Sequence, residues 1–137
     1  MTKRFIAKAN LTSEQREFLL SRFRPSFPLV HCRQVTLAYA VARDFELPLR
    51  PITVTVYGYH RGRFAEGLAV MIDQEWLSRS DGKPYFICLS HAMGRSPVEA
   101  SEFDPPMSPT LPEFYEFELQ AVLEPLQVNR AELRQVA

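Results

Sequence analysis

Net charge is the first thing this sequence lacks, since sixteen Lys and Arg side chains face sixteen Asp and Glu. With no excess of cations to displace counterions, binding along duplex nucleic acid or to an acidic membrane surface is excluded as a general property. Any nucleic-acid contact must be local. Cysteine is scarce as well: Cys32 and Cys88 stand alone, with no Cys or His at a zinc-ligand spacing. Neither a disulfide scaffold nor a structural metal site is expected, and both thiols read as reduced and structural. Long apolar runs are missing, none approaching the roughly 18 to 20 residues a membrane span needs. After the basic Met1-Thr2-Lys3-Arg4, the run Phe5-Ile6-Ala7 is broken at Lys8 and Asn10, so no signal-peptide core follows. A cytoplasmic protein with no membrane partner is expected.

What is present suffices for one core: 137 residues, 46% of them apolar, with no internal repeat. The whole chain, 1–137, reads as a single domain. Phe5 to Lys8 reads as a first strand. Thr12-Ser13-Glu14-Gln15 then opens a helix with a capping box, Thr12 as N-cap and Gln15 reaching back, and Phe18, Leu19 and Phe23 form its buried stripe. Cys32 to Val41 alternates, with Val35, Leu37, Tyr39 and Val41 on one face and Cys32, Gln34, Thr36, Ala38 and Ala40 on the other. Pro51 to Tyr59 and Phe64 to Ile72 look like a hairpin joined by His60-Arg61-Gly62-Arg63. Pro84 to Ser90 is a further strand, and Ser96-Pro97-Val98-Glu99 has the residues of a second capped helix.

Residues 103–113 are rich in proline and read as an extended connector, because proline supplies no amide donor and disfavours helix in the residue before it. Phe114 to Val122 alternates again as a last strand, Tyr115, Phe117 and Leu119 against Glu116, Glu118 and Gln120, and residues 129–137 form a tail. The expected class is α+β, with an antiparallel-rich sheet and two short helices.

Two strands share a pattern. Gln34 and Thr36 on the first, and Phe86, Cys88 and Ser90 on the second, stand opposite a hydrophobic ridge, and residues at i and i+2 project together. Such faces are read equally well as core or as a lined cleft. Gln34-Val35-Thr36-Leu37, Tyr85-Phe86-Ile87-Cys88-Leu89-Ser90 and the trailing Gly94-Arg95-Ser96-Pro97-Val98 with Ser101 resemble the signature strands and turn of the two-histidine phosphoesterase superfamily. The nearest flavour is the cyclic-phosphodiesterase-like domain of RNA ligases and its small bacterial relatives. The resemblance runs from about Leu11 to Phe103 and more loosely through the last strand. It implies antiparallel-rich sheets in two similar lobes around a central cleft. There the family's His-x-Thr or His-x-Ser motifs act on a 2',3'-cyclic phosphate or a 2'-5' linkage, the histidines as general base and acid and the hydroxyls as phosphate ligands.

Against that pattern Gln34 and Phe86 occupy the two histidine positions, Thr36 is kept, and Cys88 replaces the second hydroxyl. An imidazole titrates near neutrality and both takes and gives a proton; an amide and a phenyl ring do neither. No catalytic residue is therefore assigned. The expected inventory is a binder's: Gln34, Thr36, Phe86, Cys88 and Ser90 in the cleft, with Arg95 and Ser96 as an anion site ahead of a helix. The implied ligand is a nucleotide, a cyclic (oligo)nucleotide or an RNA 3'-end phosphate, held without cofactor or metal. Two alternatives stay open: a divergent cyclic phosphodiesterase using displaced groups among His31, His60 and His91, and an interaction protein whose cleft Phe86 fills.

Overall fold

The computed structural model describes residues 3–78, 82–95 and 110–126. The fold is α+β, with two antiparallel sheets and, among the described residues, one helix. In chain order the elements are β1 (Phe5–Asn10), α1 (Ser13–Arg22), β2 (Leu29–Val30), β3 (Gln34–Val41), β4 (Ile52–Arg61), β5 (Ala65–Ile72), β6 (Phe86–His91), β7 (Thr110–Leu119) and β8 (Ala121–Pro125). A three-stranded sheet has the order β3-β1-β8, and a five-stranded sheet the order β2-β6-β5-β4-β7. No described helix is long and apolar enough to cross a membrane.

The helix starts as its sequence dictates. Thr12 Oγ1 accepts from the Gln15 N–H at 3.1 Å and Gln15 Oε1 accepts from the Thr12 N–H at 2.9 Å, satisfying two otherwise orphaned amides. Leu19 is fully buried, Phe18 meets Tyr115 edge-on at 5.4 Å, and Phe23 stacks on Tyr59 at 6.0 Å. Both sheets contribute to the core under this helix, Ala9 and Val35 from one and Val54, Val56, Leu68, Val70, Ile87 and Leu89 from the other.

Three features depart from the pattern read along the chain. In β3 the register jumps between Thr36, opposite Lys8, and Ala38, opposite Ala7, so Leu37 is an extra residue. A one-residue bulge reverses the alternation beyond it. Ala38, not Tyr39, therefore joins Val35 inside, and Tyr39 is 68% exposed. The expected last strand is two strands: Leu119 pairs with Ile52 in the larger sheet, and after Gln120 alone Ala121 pairs with Ala9 in the smaller one. Leu119 and Ala121 are both buried, so the apolar alternation runs on through the sheet change and hides it. Residues 110–113, assigned to the connector, belong to β7, where an edge strand tolerates Pro112. The second helix at Ser96 and the 129–137 tail lie outside the described residues.

Urea unfolding should rank two substitutions by mechanism. Leu19→Ala, which empties part of the shared core, is expected to cost about 3 kcal/mol. Thr12→Ala, which removes one exposed cap, is expected to cost about 1 kcal/mol. Equal losses would mean that the helix is held by its cap and not by its buried face.

Candidate functional site

On β1 the residues Phe5, Ala7 and Ala9 face the core, so Ile6, Lys8 and Asn10 face the other way. Thr36 lies directly opposite Lys8 and Gln34 opposite Asn10, which places Gln34 and Thr36 on that outer face, as their strand spacing predicts. Lys8 completes the group: its Nζ donates to Gln34 Oε1 at 3.0 Å and pairs with Glu124 on β8 at 2.6 Å. The lysine side chain is only 12% exposed, against 53% for its carboxylate partner. A cation is thus held among strand residues next to an amide and a hydroxyl, and the acid that pairs with it is about half exposed. Lys8 was not singled out in the sequence. Its signal was a charged residue at a position where the alternate strand neighbours Phe5, Ala7 and Ala9 are all apolar.

On β6 the face expected to carry Phe86, Cys88 and Ser90 is divided by a second bulge. Phe86 pairs with Ala69 and Cys88 with Gly67, but Ser90 pairs with Glu66, leaving Leu89 extra. Glu66 and Gly67 point to opposite faces of β5, so Ser90 points away from Cys88 and toward the helix side. There it is fully buried and donates to Glu66 Oε1 at 2.5 Å while accepting from the Phe27 N–H at 3.2 Å.

Glu66 is itself fully buried, and its carboxylate also accepts from the Ser26 N–H at 2.5 Å and from the Tyr59 hydroxyl. Burial, with the carboxylate beside it, pushes the Tyr59 phenol up to about 12. A buried acid with three donors is a lock between the segment after α1 and the sheet. The sequence offered only an acid inside the apolar run Ala65 to Ile72.

The same bulge turns His91 back to the face of Phe86 and Cys88. His31, which follows β2, stacks on it with ring centroids 4.8 Å apart and planes 11° apart. His91 Nδ1 lies 2.9 Å from the Ala92 carbonyl, so Nδ1 carries the proton, a carbonyl being only an acceptor. His31 Nε2 is buried without a hydrogen-bond partner. Burial first, then His91, Arg33 and Arg16, lower the His31 pKa from its ordinary value of 6.5. Cys88 is half-buried on this face, and burial, aided by Glu66 and Cys32, pushes its thiol up to about 12, so it is no ready nucleophile. His60 sits near the end of the β4–β5 hairpin.

Arg95 lies beyond β6 with its guanidinium over the Phe64 ring, 3.6 Å from the centroid, and Ser96 lies outside the described residues. The sequence also missed an aromatic group. Tyr57 stacks on Trp76 at 6.1 Å and meets Phe114 at 6.4 Å, with Trp76 and Phe114 about half exposed. A cleft of about 700 Å³ opens under the 42–51 segment between Leu37, Ile52, Ile72 and Tyr85, and none of the six described residues expected to bind ligand lines it. Among the described residues no three metal-ligating side chains come together. Comparison with protein-family models, with curated proteins and with solved structures returns no match.

The His31 environment sets a pH dependence. The folded state binds fewer protons than the unfolded chain between the lowered pKa and 6.5, so this contribution is complete above 6.5 and is lost as pH falls through that window. The melting temperature should drop between about pH 7.5 and 5.5, and His31→Phe, which keeps a ring to stack, should make the drop smaller. Parallel curves for the two proteins would mean that His31 titrates as it does in the unfolded chain.

Proposed function

We propose that this chain is a two-histidine phosphoesterase-like domain that has given up proton transfer and binds a phosphate-bearing ligand. The ligand class is a nucleotide, a cyclic (oligo)nucleotide or an RNA 3'-end, and sequestration of such a ligand in the cytoplasm is the concrete form. The observation that carries this reading is Lys8. A partly buried ammonium hydrogen-bonded to Gln34 and directly across from Thr36 supplies, at one of the two signature motifs, the positive charge and donors that a phosphate requires. Gln34 can donate through its amide nitrogen while its oxygen is held by Lys8. Phe86, half-buried on β6 and likewise turned away from the shared core, offers a ring for a base to stack on, a contribution of about 1 to 3 kcal/mol.

One observation favours a second reading, a divergent phosphodiesterase: His31 and His91 are brought together, and the first is biased toward its neutral, basic form. The stacking of the two rings speaks against it. In-line attack at phosphorus needs the base and the acid on opposite sides of the reacting centre, and two rings stacked at 4.8 Å leave no space for a phosphate between them.

Affinity measured by calorimetry or thermal shift against cyclic mononucleotides, cyclic dinucleotides and short RNAs with phosphorylated 3'-ends tests the reading. Lys8→Ala and Thr36→Val should each weaken a bound ligand about tenfold, since each removes a donor to a charged group. Glu124→Gln should strengthen it severalfold at low salt by removing the competing carboxylate, an effect that fades with ionic strength. Affinity unchanged in all three variants would move the site off this face.

Hydrolysis of 2',3'-cyclic nucleotides should stay at background. Turnover that disappears in both His31→Ala and His91→Ala would replace the binding reading with the enzymatic one.

A further inference from the structure

The cleft of about 700 Å³ under residues 42–51 has the size of a small-molecule site and no part in the binding reading. Its walls are mainly aliphatic. Leu37 of β3, Ile52 at the start of β4 and Ile72 at the end of β5 line it with Tyr85, and Phe45 and Leu47 line it from the roof. Leu37 is the extra residue of the β3 bulge, and bulges re-aim side chains in this way. Outside the strand ladders, residues 43–51 make one backbone hydrogen bond among the described residues, from the Phe45 N–H to the Ala42 carbonyl at 3.0 Å. The roof is therefore able to shift for a ligand without breaking a sheet.

The charged residues around this apolar space are unequal in sign: Glu46, Asp73 and Glu75 line it with Arg50, which leaves the lining net negative. Asp73 is fixed in place. Its Oδ1 accepts from the Thr53 N–H and its own N–H donates to the Thr53 carbonyl, both at 2.9 Å. It opens the two-residue turn Asp73-Gln74, closed by reciprocal backbone bonds between Ile72 and Glu75, each 2.9 Å. Both turn residues have positive φ, 48° and 71°, and neither is glycine. Such a turn carries strain, and here it holds an acid beside the cleft.

We propose that this cleft binds an amphipathic cation, a small molecule with an alkyl body and a protonated amine at one end. The alkyl chain is buried against Leu37, Ile52 and Ile72, and the ammonium stays at the rim with the carboxylates of Asp73 and Glu46. An alkyl carboxylate of equal length makes the same apolar contacts but meets like charge at the rim, so charge complementarity sets the preference. None of the described residues of the binding reading lines the cleft, so the two sites stand or fall separately.

The test titrates the purified full chain with octylamine, hexylamine and octanoate at neutral pH, by calorimetry and by the methyl NMR signals of labelled Ile and Leu. Octylamine should bind with a dissociation constant of about 0.1 mM or tighter. Hexylamine should bind about tenfold more weakly, through the loss of two buried methylenes, and octanoate at least about tenfold more weakly, through its charge. Asp73→Asn keeps an oxygen for the Thr53 N–H and should weaken octylamine about threefold while narrowing its advantage over octanoate. Leu37→Trp, at a half-buried position, should fill the cleft and abolish binding. In the wild-type protein octylamine should shift the methyl signals of Leu37, Ile52 and Ile72 and leave Leu123 on β8 unmoved, a readout that needs no variant to fold. Octylamine that does not bind, binds no tighter than octanoate, or shifts methyl groups away from the cleft overturns the proposal.

Discussion

The structure turns on the passage of one short segment between its two sheets. Residues 29–32 are bonded to β6 in the larger sheet, and by Gln34 the chain is paired with β1 in the smaller one. The turn is made at Cys32, whose φ of 58° lies in the left-handed region that a residue with a Cβ enters only at a cost. Bonds on both sides hold it there: Cys32 to Cys88, and the Leu11 N–H to the Arg33 carbonyl at 2.8 Å. Arg16 of α1 adds a third tie, its Nε donating to the His31 carbonyl at 2.8 Å. This crossover is what brings β3 and β6 into one neighbourhood.

A second constraint acts on the helix side. The buried Glu66 carboxylate is satisfied by a backbone amide from the segment after α1, a tyrosine of β4 and a serine of β6. Without those donors an acid in this position would cost several kcal/mol. With them it fixes the path from the helix into β2, and so the start of the crossover. Ser90 is drawn to this lock by the β6 bulge, and the same bulge gives His91 to the opposite face. One inserted residue thus redistributes a hydroxyl and an imidazole between structure and candidate site.

The electrostatics of the candidate site follow from the smaller sheet. β1 is its central strand, so Lys8 has neighbours on both sides: Gln34 and Thr36 from β3, and Glu124 from β8. An isolated surface lysine would be a weak, mobile point charge. Flanked in this way its position is set and its stem is largely buried, which is the preorganisation that anion recognition draws on.

Local chemistry was legible in the sequence. The capping box at Thr12, the hairpin of β4 and β5, the helix stripe around Leu19 and the outward pairing of Gln34 with Thr36 depend on spacing within a few residues, and spacing is what a sequence carries. The antiparallel α+β character followed from those elements. Tertiary structure alone decided the rest. Bulges at Leu37 and Leu89 shift strand phase, as Tyr39 and Ser90 record, and a bulge is chosen by the partner strand's register and not by the bulged segment. The handover from β7 to β8 keeps its alternation and leaves no local trace. Lys8 beside Gln34, His31 on His91 and Cys32 across from Cys88 join residues 26, 60 and 56 positions apart, and only the backbone pairing of the folded sheets brings them together.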